Sequence, residues 1–256
     1  MTSHDVVYRV RRSFPKDTKV GHLGTLDPPA AGVLPIAVGW ATKLISHLPE
    51  GDKAYLAEIE FGFRSDTLDA AGVVEIGSPP PLPLPIADLL QRYQGTVMQI
   101  PPQVSALRQG GQRSYDRARR GEQFELPARP AHYHEVKIVR EVGSRLVLRV
   151  ACGGGTYIRA LARDLGEAVG SGAILSFLLR LQSGDFHLGE SICLEEIEPQ
   201  RLLPWDWPWR HQTRRPLGEW PPPAQGESGL ATHSKGVALY RDGLKVWARE
   251  GATCGI

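Results

Sequence analysis

Apolar residues fall at helical spacing from the start of the chain. Val6, Val7, Val10 and Phe14 share one side, Arg9, Arg11 and Arg12 lie towards the other, and Thr2 and Ser3 stand where an N-cap is needed. The pattern predicts a first helix with a basic face. Further on, "VLPIAVG" reads as a short buried strand and "ATKLISHL" as a short helix behind it. In "KAYLAEIEF", Tyr55, Ala57, Ile59 and Phe61 alternate with Leu56, Glu58 and Glu60, the period of a half-buried strand. Its hairpin partner is expected near "GVVEI".

The proline-dense "GSPPPLPLP" predicts a stiff extended connector, followed by a helix over "IADLLQRYQG". Between Gln99 and Glu125 the apolar period is lost, and strands resume at "VKIVR" and "RLVLRVACG". A long irregular insertion in a compact domain is uncommon unless it is functional. In "GGGTYIRALARDLGEAVG" a glycine hinge opens a helix whose stripe is Ile158, Leu161, Ala162, Leu165 and Val169. Beyond about Gln200, Trp205, Trp207, Trp209 and Trp220 mix with Pro, Arg and Gly, and "GVALYRDGLKVWAR" suggests a small β-rich C-terminal module. No internal repeat is found.

Composition narrows the class. The 256 residues can bury a sizeable core, and 41% hydrophobic with 23% charged residues is an ordinary globular balance. The longest apolar runs are too short for a membrane span, and no secretory leader opens the sequence. Cys152, Cys193 and Cys254 are too few and scattered for a disulfide framework, so a soluble cytoplasmic protein is expected. A net charge of +2 leaves any affinity for nucleic acid to local clusters.

Four stretches carry candidate chemistry. In "GHLGTLDPPAAGVLP", glycines and the Pro28-Pro29 pair shape a turn around Asp27; an ordinary Asp-Pro turn and a presented carboxylate are both open. "RSDTLDAAG" places Asp66 and Asp69 near a glycine but lacks further acidic ligands, so a hairpin turn is preferred to a metal loop and no metal is predicted. "CGGGTYIR" leads glycines into a helix, as a phosphate cradle or a tight connection would, without the lysine of a P-loop. Arg159 in that helix's first turn opposes the helix dipole, which calls for a partner such as a buried carboxylate. "LRQGGQRSYDRARRG" sets Arg108, Arg113, Arg117, Arg119 and Arg120 around Tyr115 with Asp116 as its acid; phosphate gripping and base stacking point to RNA.

Taken in order and spacing, "GHLGTLDPPAAGVLP", "DKAYLAEIEFGFRSDTLDAAG", "QIPPQVSALR", "GGQRSYDRARRGE", "CGGGTYIRALARDLG" and "LLRLQSGDF" resemble the bacterial tRNA pseudouridine-55 synthases of the TruB type over about residues 2 to 190. The resemblance implies an α+β pseudouridine-synthase fold: a bent, mainly antiparallel mixed sheet flanked by helices, with the active cleft across its middle. The catalytic domain would span 1–200, an RNA-clamping insertion about 104–125, and a small PUA-like appendage 201–256. It implies a cofactor-free isomerase that flips a T-loop uridine out of tRNA, with Asp27 as the catalytic carboxylate. Asp27 would either attack the ribose anomeric carbon or abstract a sugar proton.

Arg159 would pair with Asp27, balancing its charge and fixing its orientation. Tyr55 would stack on the target base and is a candidate for moving the C5 proton, Leu181 and Tyr157 would line the base's site, and His22 would fill the disrupted loop. Arg108, Arg113, Arg117 and Arg120 would grip the T-arm. The implied partner is tRNA, with no membrane, and a monomer is expected. Family members carry a Lys-Pro strand before the block resembling "TSHDVV", which here follows Met1 directly; a different start and a shortened protein are both open. Pro29 and Ala31 replace the commoner leucine and threonine. Two further readings are a non-catalytic tRNA-binding protein using the same cleft and a metal-dependent phosphotransferase using Asp66 and Asp69.

Overall fold

The computed structural model describes residues 1–48, 51–105, 107–109, 111–122, 124–199, 202 and 236–239. The chain divides into two compact units, one built from 1–51 and 180–256 and the other from 52–179. The first opens with helix α1 (Ser3–Arg11), closed by a reciprocal capping box. Asp5 N donates to the Thr2 hydroxyl at 3.1 Å and Thr2 N donates to the Asp5 carboxylate at 2.8 Å. Val6, Val7 and Val10 are buried as their spacing predicts, and Phe14 is buried just past the helix end.

Strands β1 (Val20–His22), β2 (Ala31–Gly32) and β3 (Pro35–Val38) follow, with β1 and β3 antiparallel. All of β3 is buried, as its continuous apolar run demands. "ATKLISHL" does not form an α-helix: a 3-10 turn spans Gly39–Leu44, where the Thr42 hydroxyl bonds back to the Gly39 carbonyl at 2.8 Å. Such local bonding competes with helix propagation.

In the second unit, β4 (Lys53–Phe61) buries the alternating set Tyr55, Ala57, Ile59 and Phe61. Its expected pairing with "GVVEI" is not formed. Gly62, at φ 89°, turns the chain out of β4, and β5 (Phe63–Ser65) takes β6 (Val74–Ile76) as its antiparallel partner. Helix α2 (Ala87–Leu90) is one turn, shorter than its pattern suggests, with no side-chain cap at its start. After β7 (Gly95–Gln99), the expected irregular insertion contains regular structure: a small hairpin of β8 (Arg108–Gln109) and β9 (Gln112–Arg113), then α3 (Ser114–Arg119).

Strand β10 (Arg129–Val142) begins well ahead of "VKIVR" because its first residues pair with β7; it then pairs with β11 (Arg145–Cys152), which pairs with β4. Helix α4 (Ile158–Val169) packs on β4 with Ile158, Leu161, Ala162 and Leu165 buried and Val169 half-buried. Gly170, at φ 80°, ends it in the left-handed conformation. Strand β12 (Ala173–Ser183) completes the order β12-β4-β11-β10-β7.

From Arg180 onward the chain belongs to the first unit. There β13 (Phe186–His187) pairs with the end of β12, β2 also pairs with β12, and β14 (Gly236–Leu239) adds to β3 in the order β1-β3-β14. The architecture is α+β, and the pairs β1–β3, β3–β14, β4–β11, β5–β6, β7–β10, β8–β9, β10–β11 and β12–β13 are antiparallel. Apart from β14 and Leu202, the expected C-terminal module over 201–256 lies outside the described residues.

Candidate active site

Asp27 sits at the half-exposed apex of the loop between β1 and β2. Its carbonyl accepts from Ala30 N at 2.9 Å, closing a tight turn around the two prolines. The rest of the loop is pinned. Ser3, buried at the start of α1, donates its hydroxyl to Leu26 O at 3.0 Å and accepts from Leu26 N at 2.9 Å. Leu23 N donates to Pro35 O at 2.9 Å, and Leu23 and Val33 pack with Phe186 and Leu188.

A side chain with no assigned role in the sequence reading does most of the holding. Arg180, 1% exposed, donates Nε to Val33 O at 2.7 Å and Nη1 to Thr25 O at 3.1 Å, while its carbonyl accepts from Val33 N at 2.9 Å. Gly32, at φ 103°, lies so close that a Cβ there would collide with the Arg180 backbone. The signal was available: an arginine inside the largely apolar "ILSFLLRL" must, if buried, find partners. Leu181, next in the strand, is half-buried.

His22 is at the end of β1, half-buried, with Nδ1 out of contact with water and making no hydrogen bond among the described residues. Burial, then the charges of His4 and Arg180, hold its pKa below the usual histidine value, which favours the neutral ring.

In the second unit Tyr55 is buried on β4 opposite Val150. Tyr157, half-buried, is the N-cap residue of α4, and its backbone is clamped by Gln99, a buried side chain the sequence reading missed. Tyr157 N donates to Gln99 Oε1 at 2.9 Å, and Gln99 Nε2 donates to Tyr157 O at 3.1 Å and to the Tyr133 hydroxyl at 2.8 Å. Burial pushes the Tyr133 phenol upward, so it stays protonated.

Arg159 is buried in the first turn of α4, where the helix dipole opposes it, and fixed acceptors compensate its charge. Nη1 donates to Thr67 O at 2.9 Å, Nη2 donates to Val104 O at 3.0 Å, and Nε stands 3.6 Å from Asp69 Oδ2. The carboxylate facing it in its own unit is therefore Asp69; Asp27 belongs to the other unit. Asp69 accepts the Thr67 hydroxyl at 2.6 Å and Ala71 N at 3.0 Å on Oδ1, and Asp66 accepts Val73 N at 2.9 Å. These are turn contacts: a Cβ at Gly72 would run into Asp66, Thr67 and Ser65. Among the described residues no cluster of three or more His, Cys, Asp or Glu is placed to hold a metal.

The insertion gathers part of its arginine set. Arg117 Nε donates to Glu122 at 2.9 Å and Arg120 Nε at 2.7 Å, which lowers the Glu122 pKa. Arg117 also lies 4.1 Å over the Phe124 ring and Arg119 4.3 Å over Tyr115. Arg108 and Arg113 are opposite each other in the β8–β9 hairpin.

Residues 11–158 match the family described as "TruB family pseudouridylate synthase (N terminal domain)". The chain belongs to the TruB family of pseudouridylate synthases. It is 40% identical over 251 residues to the tRNA pseudouridine synthase B of Heliobacterium modesticaldum, covering 95% of this chain and 79% of the relative. To that of Moorella thermoacetica it is 46% identical over 204 residues, covering 77% and 66%. Among solved structures, a Cbf5-Nop10-Gar1 complex contains a chain matching with a TM-score of 0.54 and 28% identity, over 73% of this chain and 46% of that one. An archaeal box H/ACA sRNP Nop10-Cbf5 complex matches with a TM-score of 0.55 and 26% identity, over 77% and 49%. This chain thus spans about half the length of the solved chains it matches. These matches agree with the α+β pseudouridine-synthase fold implied by the TruB-type motifs. Among the described residues no helix is long and apolar enough to cross a membrane.

Proposed function

We infer that this chain is an isomerase, a tRNA pseudouridine synthase, and that it acts on the T-loop uridine at position 55. The observation carrying this is the likeness to enzymes named tRNA pseudouridine synthase B through nearly the whole chain, including the segment in which a pinned loop presents Asp27. In this reading 1–200 is the catalytic domain and 201–256 an RNA-binding appendage, and the protein works as a cytoplasmic monomer without a cofactor.

The target base is extruded from its loop, at about a few kcal/mol. His22 fills the space it leaves; its neutral ring suits insertion among bases. Tyr55 stacks on the uracil, with Tyr157 and Leu181 beside it. Asp27 attacks the ribose C1′ or takes a sugar proton; the N1–C1′ bond breaks, the base turns, and a C5–C1′ bond forms. The proton lost from C5 is balanced by one gained at N1. Arg159, already held by Thr67 and Val104, orients Asp27. Arg108, Arg113, Arg117 and Arg120 contact the T-arm backbone.

The test is incubation with unmodified tRNA transcript in chelator and measurement of pseudouridine. Product is expected from the wild type, and Asp27→Asn should lower its rate by at least about 10²–10⁴-fold while retaining tRNA affinity. Normal turnover in that variant would remove Asp27 from the chemistry. Binding without product in the wild type would identify a non-catalytic tRNA-binding protein.

A further inference from the structure

We propose that the corner between α1 and β1 is a phosphodiester-binding site for the RNA backbone beside the reacting nucleotide. This deepens, and rests on, the tRNA reading above. A depression of about 440 Å³ is lined there by Arg11, Lys16, Asp17, Thr18, Lys19 and Gly21, among others. Arg11, Lys16 and Lys19 are exposed, and among the described residues none of them makes an ion pair or a side-chain hydrogen bond. Asp17 is the acid in the lining. The helix dipole accounts for a cation at Arg11, in the last turn of α1, but not for Lys16 and Lys19 beyond it.

The insertion offers a contrast. There Arg117 and Arg120 share Glu122, and a phosphate must compete with that carboxylate before either guanidinium can grip it. At the α1–β1 corner no carboxylate is paired with these cations among the described residues, and a phosphate they neutralise releases counterions condensed on the RNA. Arg11 can take two phosphate oxygens at once, and the lysines act as mobile point charges.

Position selects the ligand. The wall residues Val20 and Gly21 belong to β1, whose next residue is His22, with Asp27 five residues further along the same pinned loop. Consecutive Cα atoms are about 3.8 Å apart, so an anion in the depression lies beside the segment proposed to enter the T-loop. A backbone phosphate adjoining the target uridine is the anion that this neighbourhood supplies, and the cluster would set the RNA's register without reading its sequence.

The experiment measures tRNA affinity from low to moderate salt for the wild type and R11Q/K16Q/K19Q, with matched thermal melting as the folding control. The slope of log K against log salt should fall by about 1, the change for one phosphate no longer neutralised, and the single-turnover rate at saturating tRNA should stay within about twofold. An unchanged slope would overturn the site. So would an equal loss of rate at saturation, which would assign these side chains to chemistry rather than docking. If the wild type made no pseudouridine, the isomerase reading would fall, while the slope would still decide whether this corner binds RNA.

Discussion

Arg180 in the first unit and Arg159 in the second are both sealed from solvent, yet they hold different things. The Arg180 guanidinium bonds to the Val33 and Thr25 carbonyls, on either side of Asp27, and so fixes the backbone that presents a carboxylate. Arg159 bonds to the Thr67 and Val104 carbonyls and faces the Asp69 carboxylate, joining the turn at 65–72 to the start of α4. One cation shapes a loop; the other is itself positioned, with a charge to direct. A buried guanidinium has five donors in a rigid fork, so it can gather segments far apart in sequence where a lysine would reach one.

The largest effect is expected where the loop loses its clamp. Arg180→Met would strand the buried Val33 carbonyl and break the bond to Thr25 O, costing about 2–6 kcal/mol at about 1–3 for each acceptor that loses its donor. That is a large part of a typical total of about 5–15 kcal/mol. Urea unfolding is the measurement, and Arg180→Lys should recover only part of the loss, since an ammonium cannot span both carbonyls. A Met variant within about 1 kcal/mol of wild type would show that the loop holds its shape by other contacts, and the comparison would lose one side.

Arg159→Met should cost a similar amount, about 3–5 kcal/mol, because it removes the donors to the Thr67 and Val104 carbonyls and leaves the Asp69 carboxylate buried without its cation. The sharper test is the double variant. Adding Asp69→Asn removes the stranded charge, and with Asp69→Asn also measured alone, the double variant should lose about 1–3 kcal/mol less than the sum of the two single losses. Activity should stay lost in both, because Arg159 is proposed to orient Asp27. Additive losses would mean that the 3.6 Å separation between Arg159 and Asp69 carries no energetic coupling.

The two arginines also show what could be read from sequence. Arg159 was legible because it breaks a local rule, a cation in a helix's first turn, and the need for a buried carboxylate followed from it. Which carboxylate stands opposite in the same unit was not legible, since Asp69 looks like any turn acid and is brought there by backbone bonds from Leu68 and Ala70 to Leu175. Arg180 broke a rule as well, a charge inside an apolar strand, but its acceptors are carbonyls about 150 residues away, which leave no residue-type signature. Strand β4 was legible to the residue because its alternation needs no distant information. Its partner was not: a glycine at φ 89° decides that the following strand pairs elsewhere.

The smallest expected effect concerns the electrostatic reach of Arg180. Burial comes first in lowering the His22 pKa, and His4 and Arg180 add to it. The unfolded chain keeps the usual value of about 6.5 and therefore binds more protons than the folded one as pH falls through that range. Stability should decrease from about pH 7 downward and level off below the folded pKa. In His22→Gln that acid limb should be shallower, visible as a melting-temperature difference of a few degrees at most between pH 7.5 and 5. The other seven histidines are present in both proteins, so subtracting the curves isolates the change at position 22. Parallel curves would mean that the imidazole titrates as it does in water, and that neither burial nor the Arg180 charge reaches it.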